Sequence, residues 1–406
     1  MRKLFQNPGF RRLWAAQIAL ALGDAVMQMG LIELFRDLGL KVASETAKML
    51  LMMSLPGVVF GPLVMAYVDR WPRRLVLVAS DWFRAGLVVV LMVWVWPLLA
   101  GGPRTAGLWP LYGFVCVIGV VTTFYFPARY ALMPSLVSAG ELVPANTLFT
   151  TSIAAAAFLG RPVGGFVAER FGVEWALAAN AVAYVVGAIL IWRIPAAMES
   201  APAAAPNGWR ELQAGTRYLL GHTVALRLVL LSGVFAFLGG VFLVAFVGYA
   251  VETLKLGTGG LGYLAAAAGP GAVAGVVLMG RGRSWTKAGW LPVVQLLVAG
   301  GVLLGLGWVV TPWLAAPLLT LLGMVVATAM IPIDSLMQEH VEESRRGAVF
   351  AVRGMMTSLT MMVAFWLQFG SDVLQRTPPP VVLTGLGVLA VVAAGVAGFS
   401  GRRRGA

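Results

Sequence analysis

Cysteine, histidine and charge are all scarce in this 406-residue chain, and each shortage removes a class of protein. A single cysteine, Cys116, cannot close an intrachain disulfide, and the two histidines, His222 and His340, lie too far apart for the usual spacings of a zinc site. No Gly-x-x-x-x-Gly-Lys-Ser/Thr loop is present, so ATP hydrolysis is not expected, and neither a metal nor a cofactor is implied. The 17 acidic residues are scattered, which leaves no nucleophile with its base and no carboxylate cluster to mark an enzyme. Although the formal net charge is +13, no basic run exceeds Arg402-Arg403-Arg404; a nucleic-acid partner is not expected.

What is abundant is apolar surface. The chain is 59% hydrophobic with a mean hydropathy of +0.85, and only 12% of it is charged, against about a quarter in soluble domains. Water would not tolerate such a surface, so the partner and solvent is a lipid bilayer. Because ~20 mostly apolar residues cross about 30 Å of hydrocarbon, the composition implies an all-α polytopic membrane protein.

Apolar blocks separated by polar breaks predict twelve spans, at about 13–35, 48–68, 75–98, 107–131, 145–168, 172–193, 224–251, 258–280, 288–310, 313–337, 347–371 and 379–399. The first shows no small-residue cleavage site at its end and reads as a retained span. With both termini cytoplasmic, 22 of the 30 lysines and arginines fall at inside ends, 7 at outside ends, and Arg161 is left over as the one deeply placed cation. That bias predicts a multi-pass protein of the cytoplasmic membrane with both termini inside.

The longest polar interruption, 195–222, follows six spans and turns amphipathic through Trp209, Leu212, Tyr218 and Leu219. It divides the chain into an N-terminal bundle (1–194), a linker with an amphipathic helix (195–222) and a C-terminal bundle (223–406). A weak internal repeat agrees. Pro56-Gly57, Gly61, Met65 and Trp71 recur at an offset of 214 as Pro270-Gly271, Gly275, Met279 and Trp285, which would make spans 2 and 8 equivalent members of two pseudo-symmetric halves.

Between spans 2 and 3 runs Gly61-Pro-Leu-Val-Met-Ala-Tyr-Val-Asp69-Arg70-Trp71-Pro72-Arg73-Arg74. It resembles the signature loop of the major facilitator superfamily, with Met65 and Pro72 where that family often has glycine. The resemblance implies two six-helix bundles working by alternating access, and a conformational gate at Gly61, Asp69, Arg70, Arg73 and Arg74. A carboxylate among guanidiniums can pair with a neighbouring helix end; simple anchoring to the cytoplasmic face also explains Arg73 and Arg74. Asn7-Pro-Gly-Phe-Arg-Arg-Leu-Trp14, Leu22-Gly23-Asp24, Asp81-Trp-Phe-Arg84-Ala85, Phe126-Pro-Ala-Arg129 and Arg345-Arg346-Gly347 are similar to the third drug/proton antiporter group. The Gly-Asp of span 1 and Leu336-Met337-Gln338-Glu339 are also similar to lysophospholipid transporters. The first resemblance implies proton-coupled export of hydrophobic or amphipathic small molecules; the second implies movement of lysophospholipid or another lipid, without need of a proton. A monomer is expected in both.

A charge at mid-bilayer costs at least ~2.5 kcal/mol and persists mainly where it faces a cavity or a partner, so intramembrane ions are where mechanism should be sought. Asp24, near the middle of span 1, could bind and release a proton as water access changes sides, or could be a structural hydrogen-bond acceptor. Arg161 in span 5 could serve an anionic substrate, pair with Asp24, or snorkel to the interface. Asp334 in span 10 is a third ion-coupling or substrate candidate. Glu33 and Asp81 lie close enough to span ends for ordinary hydration to explain them. Gly160, Pro162, Gly164 and Gly165 would let span 5 bend and approach a neighbour.

Overall fold

The computed structural model describes residues 2–67, 71–99, 107–138, 141–195, 208–281, 288–342 and 345–402. Lipid offers no partner to a backbone N–H or C=O, so a chain this apolar must satisfy those groups within helices. Among the described residues, twelve helices are long and apolar enough to cross a membrane: Pro8–Asp37, Val42–Gly61, Arg73–Pro97, Trp109–Leu136, Leu148–Phe171, Val173–Trp192, Thr223–Thr253, Thr258–Met279, Leu291–Trp308, Pro312–His340, Arg346–Gly370 and Pro379–Ala397. These are spans 1 to 12 below. Span 2 starts earlier than the sequence pattern predicts, at Val42 rather than near 48, because Glu45 and Lys48 neutralise each other across one turn (Nζ–Oε1 2.8 Å).

Local chemistry explains where helices start and break. Asn7 caps span 1, its Oδ1 accepting from Gly9 N at 2.8 Å and Phe10 N at 3.2 Å, with Pro8 at the first helical position. Span 7 finishes in a π-helical turn, Tyr249–Thr253, anchored by the Tyr249 hydroxyl on Val309 O at 2.7 Å. Span 8 breaks at Ala267, and the Thr320 hydroxyl from span 10 satisfies that residue's carbonyl at 2.7 Å. Trp109, Trp308 and Trp313 stand exposed at span ends, as interfacial anchors do.

The chain forms two compact units. Unit 1 comprises Met1–Leu40, Met52–Gly208 and Gly257–Tyr263; unit 2 comprises Lys41–Leu51, Trp209–Leu256 and Leu264–Ala406. The start of span 2 thus belongs with unit 2 and the start of span 8 with unit 1. In unit 1, span 1 is gripped on two sides through glycines. A Cβ on Gly23 or Gly30 would lie 2.5 Å or 2.7 Å from Cβ atoms of span 6, and one on Gly164 would lie 2.5 Å from Val26 Cα. Such close approach is how helices associate in lipid, where apolar side chains gain little by leaving the tails.

Unit 2 uses the same device on other pairs. Gly271 and Gly275 of span 8 press on Thr320 and Met324 of span 10, while Gly300 of span 9 and Gly387 of span 12 face each other's carbonyls at 2.8–2.9 Å from the would-be Cβ. The positions related by the internal repeat are used differently: a Cβ on Gly61 would meet nothing within 4 Å, whereas one on Gly275 would meet Met324 Cγ at 2.8 Å. An amphipathic helix, Gly208–Gly221, buries Leu212 and Leu219 and docks Gly215 against Ala348 at the end of unit 2 that carries Ile333, Met337 and Val349.

Candidate functional site

Asp24 sits near the middle of span 1, and the preceding glycine decides what it meets. Gly23 lets span 6 approach until Asn180 and Tyr184, one turn apart on the same face, reach the carboxylate. Asp24 Oδ1 accepts from the Tyr184 hydroxyl at 2.7 Å and from Asn180 Nδ2 at 3.2 Å. The aspartate itself is half-buried, while Tyr184 and Asn180 are 1% and 0% exposed; of the three, only the aspartate is within reach of solvent.

The network continues through span 3. The Arg84 guanidinium lies on the rings of Tyr184 and Tyr125, 4.6 Å and 4.3 Å from their centroids, and its Nη2 donates to Asp81 Oδ1. From span 4, the Tyr125 hydroxyl accepts from Gln17 Nε2, and Gln17 Oε1 accepts from Arg129 Nη1 at 3.2 Å. Arg129 is otherwise surrounded by the rings of Phe126, Tyr130 and Phe149, with 4.5 Å to the nearest centroid. Aromatic faces attract a desolvated cation, so both arginines are held without a full complement of carboxylates. Asp81, Arg84 and Arg129 are all buried, and Asp81 Oδ2, Arg84 Nε, Arg129 Nε and Asn180 Oδ1 find no hydrogen-bond partner among the described residues.

Two expectations fail here. Asp81 is not an interfacial group but is 0% exposed, and Arg161 is not the sole deep cation, because Arg84 and Arg129 are the more deeply buried. Span 3 begins at Arg73, which places Asp81 about 12 Å along the helix, and spans 1, 4 and 6 close over it. Distance to a span end says nothing of that closure. The overlooked signal was an acid and a base three residues apart within an apolar run.

Arg161 does not pair with Asp24. Its Nη1 donates to Ala157 O of its own helix at 3.2 Å, and its guanidinium lies 5.7 Å from the Phe158 ring. Gly160 and Gly164 form the face of span 5 that meets span 1, so the next residue points some 100° aside. Gly165 instead packs on Thr258 and Gly259, and Gly262 on the backbone of Arg161 and Pro162. Glu33 and Glu169 hold that same segment. The Thr258 hydroxyl donates to Glu33, Gly259 N donates to Glu169 Oε2 at 2.8 Å, and Arg36 pairs with Glu33 at 2.9 Å. Glu33 is 3% exposed, so hydration does not account for it; its partners do.

Of the gate residues, Asp69 and Arg70 lie outside the described residues. Arg73 Nη1 donates to Ala131 O at 3.2 Å, and Arg74 donates to Ile194 O and lies against the Trp192 ring, so Arg73 ties a carbonyl of span 4 and Arg74 one just past the end of span 6. In unit 2, Asp334 accepts from Arg353 of span 11, whose guanidinium also meets Met330 Sδ at 3.1 Å. The pair is half-buried, with side-chain exposures of 37% and 13%. Neutralising either partner (Asp334→Asn or Arg353→Gln) is expected to lower the yield of folded protein and its flux. Exchanging them (Asp334→Arg with Arg353→Asp) should recover both if the pair is structural, as measured by size-exclusion chromatography and liposome flux.

Twelve apolar helices in two units, with charges sealed among them, define a polytopic membrane protein that keeps ionisable groups inside its own packing. Residues 13–365 match the model of the Major Facilitator Superfamily, and the chain belongs to that family of membrane transporters. It is 26% identical over 366 residues to the uncharacterized MFS-type transporter YkuC of Bacillus subtilis, covering 85% of this chain and 81% of the relative. It is also 26% identical over 427 residues to the lysophospholipid transporter LplT of Klebsiella pneumoniae, covering 98% and 97%. Its fold is similar to that of a bacterial homologue of the iron transporter ferroportin in an inward-facing state, with a TM-score of 0.72 at 14% identity over 96% of this chain and 98% of that one. An auto-inhibited POT family peptide transporter gives 0.72 at 11% identity, over 97% of each chain.

Proposed function

We propose that the chain is a secondary active transporter that exports hydrophobic or amphipathic small molecules by alternating access, driven by protons that bind at Asp24. The observation that carries this reading is the setting of Asp24. It is a half-buried carboxylate in mid-span, held by two neutral donors rather than by a guanidinium. Tyr184 and Asn180 orient it from span 6. The charge bias of the loops supports termini on the cytoplasmic side.

A second reading is favoured by the near full-length similarity to LplT: lysophospholipid moves between leaflets, with no proton required. Purified protein in liposomes separates the two. Flux of an amphipathic cation, a siderophore-like anion and labelled lysophospholipid is measured with and without a proton gradient. Gradient-driven movement of a small amphipath is the expected result. Lysolipid movement that ignores the gradient would establish the second reading instead, and absence of flux for all three would overturn both.

A further inference from the structure

Two carboxylates and one guanidinium meet in unit 1. Arg84 Nη2 bonds Asp81 Oδ1, and both side chains lie within electrostatic reach of Asp24. The polar and titratable groups around them come from four spans: Gln17 and Asp24 from span 1, Asp81 and Arg84 from span 3, Tyr125 and Arg129 from span 4, Asn180 and Tyr184 from span 6. Arg129 points its Nη1 to Gln17 and lies among three rings, whereas Arg84 interacts with both acids, which among the described residues makes Arg84 the cation set against the two carboxylates.

Arg84 is equipped for a second carboxylate. A guanidinium carries five donors in a fixed fork, and Arg84 Nε is buried without a partner among the described residues. The guanidinium also rests on the ring of Tyr184, whose hydroxyl donates to Asp24. Asp81 cannot itself be the group that exchanges with water. It is 0% exposed, and its free Oδ2 is packed so closely that a Cβ on Gly187 would lie 3.2 Å away.

We propose that Asp81 is a positioning residue that engages Arg84 and so keeps it from Asp24, leaving Asp24 without a fixed counter-ion and free to exchange a proton. The proposal rests on proton binding at Asp24. With Arg84 and Asp81 mutually neutralised, the trio is neutral when Asp24 is protonated and carries one negative charge when it is not. The cluster therefore exchanges one proton. Once Asp81 loses its charge, Arg84 is a buried cation with one carboxylate in reach. Leaving such a charge unpaired is costly, so the guanidinium turns to Asp24 and holds it ionised.

Dicyclohexylcarbodiimide modifies protonated carboxyls in apolar surroundings and needs no substrate. The full chain in liposomes is treated across a pH series, and modification of Asp24 is read by peptide mass spectrometry, with Asp24→Asn identifying the site. Wild type and Asp81→Glu are expected to label at Asp24, increasingly as pH falls. Asp81→Asn should label about tenfold less or lower still at the same pH, given what a nearby opposite charge does to a carboxyl. Asp81→Asn combined with Arg84→Leu should regain the wild-type level. Equal labelling of Asp81→Asn and wild type, no recovery in the double variant, or an unlabelled wild type would each overturn the proposal. Size-exclusion chromatography confirms that every variant scored is folded. If wild-type flux ignores the proton gradient while labelling follows the expected order, proton coupling falls and the positioning role of Asp81 stands.

Discussion

Asp24→Asn is expected to abolish gradient-driven flux, to the level of protein-free liposomes, while the protein remains folded and monodisperse. Asparagine matches aspartate in shape and keeps an oxygen that can accept from Tyr184 and Asn180, the two donors at 2.7 Å and 3.2 Å. What it loses is the ability to change charge. An ion gradient drives a conformational cycle only if the ion binds the two states unequally, and a group that no longer binds it contributes nothing to that difference. Downhill counterflow, which needs substrate binding but no proton, should survive in the variant. Gradient-driven flux at the wild-type rate would remove Asp24 from the coupling step, and loss of counterflow as well would move it to substrate binding.

The second large effect is steric. Gly164→Leu should yield no folded protein, because even its Cβ would lie 2.5 Å from Val26 Cα, 3.0 Å from Val26 O and 3.2 Å from Met29 Cβ. Backbone cannot rotate out of the way as a side chain can. Gly164→Ala asks span 5 to retreat by less and is expected to cost about 1–3 kcal/mol, the usual range for overpacking. Its effect should show as a lower unfolding temperature. Because span 1 between Gly23 and Gly30 is held against span 6 on another side, a displaced span 5 also disturbs Asp24. Gly61→Ala is the control: it meets nothing within 4 Å and should unfold as wild type does.

The twelve spans were legible in the sequence because their signal is one-dimensional: apolar length against polar breaks, which lipid enforces on each helix separately. Asp24 was legible for the same reason, as a lone acid in the middle of an apolar run. Asp81, Arg84 and Arg129 were not, since their meaning lies in which faces of spans 1, 3, 4 and 6 come together. Arg161 illustrates the converse. It stands out in the sequence, yet its helix turns it toward Phe158, and the glycines beside it do the packing that matters. Glu33 needed knowledge of Thr258, a partner 225 residues away.

That last contact bears on how the chain could be divided. The linker around 195–222 is the obvious place to cut, and residues before it look like a self-sufficient fragment. Unit 1, however, includes Gly257–Tyr263, which fills the groove at Gly165 and occupies Glu33 and Glu169. A fragment ending at Gly208 would leave Glu33 without its hydroxyl donor, Glu169 without its amide donor, and the Gly165 face of span 5 bare. Severed halves of this protein are therefore incomplete pieces, and co-expression should succeed where either alone does not.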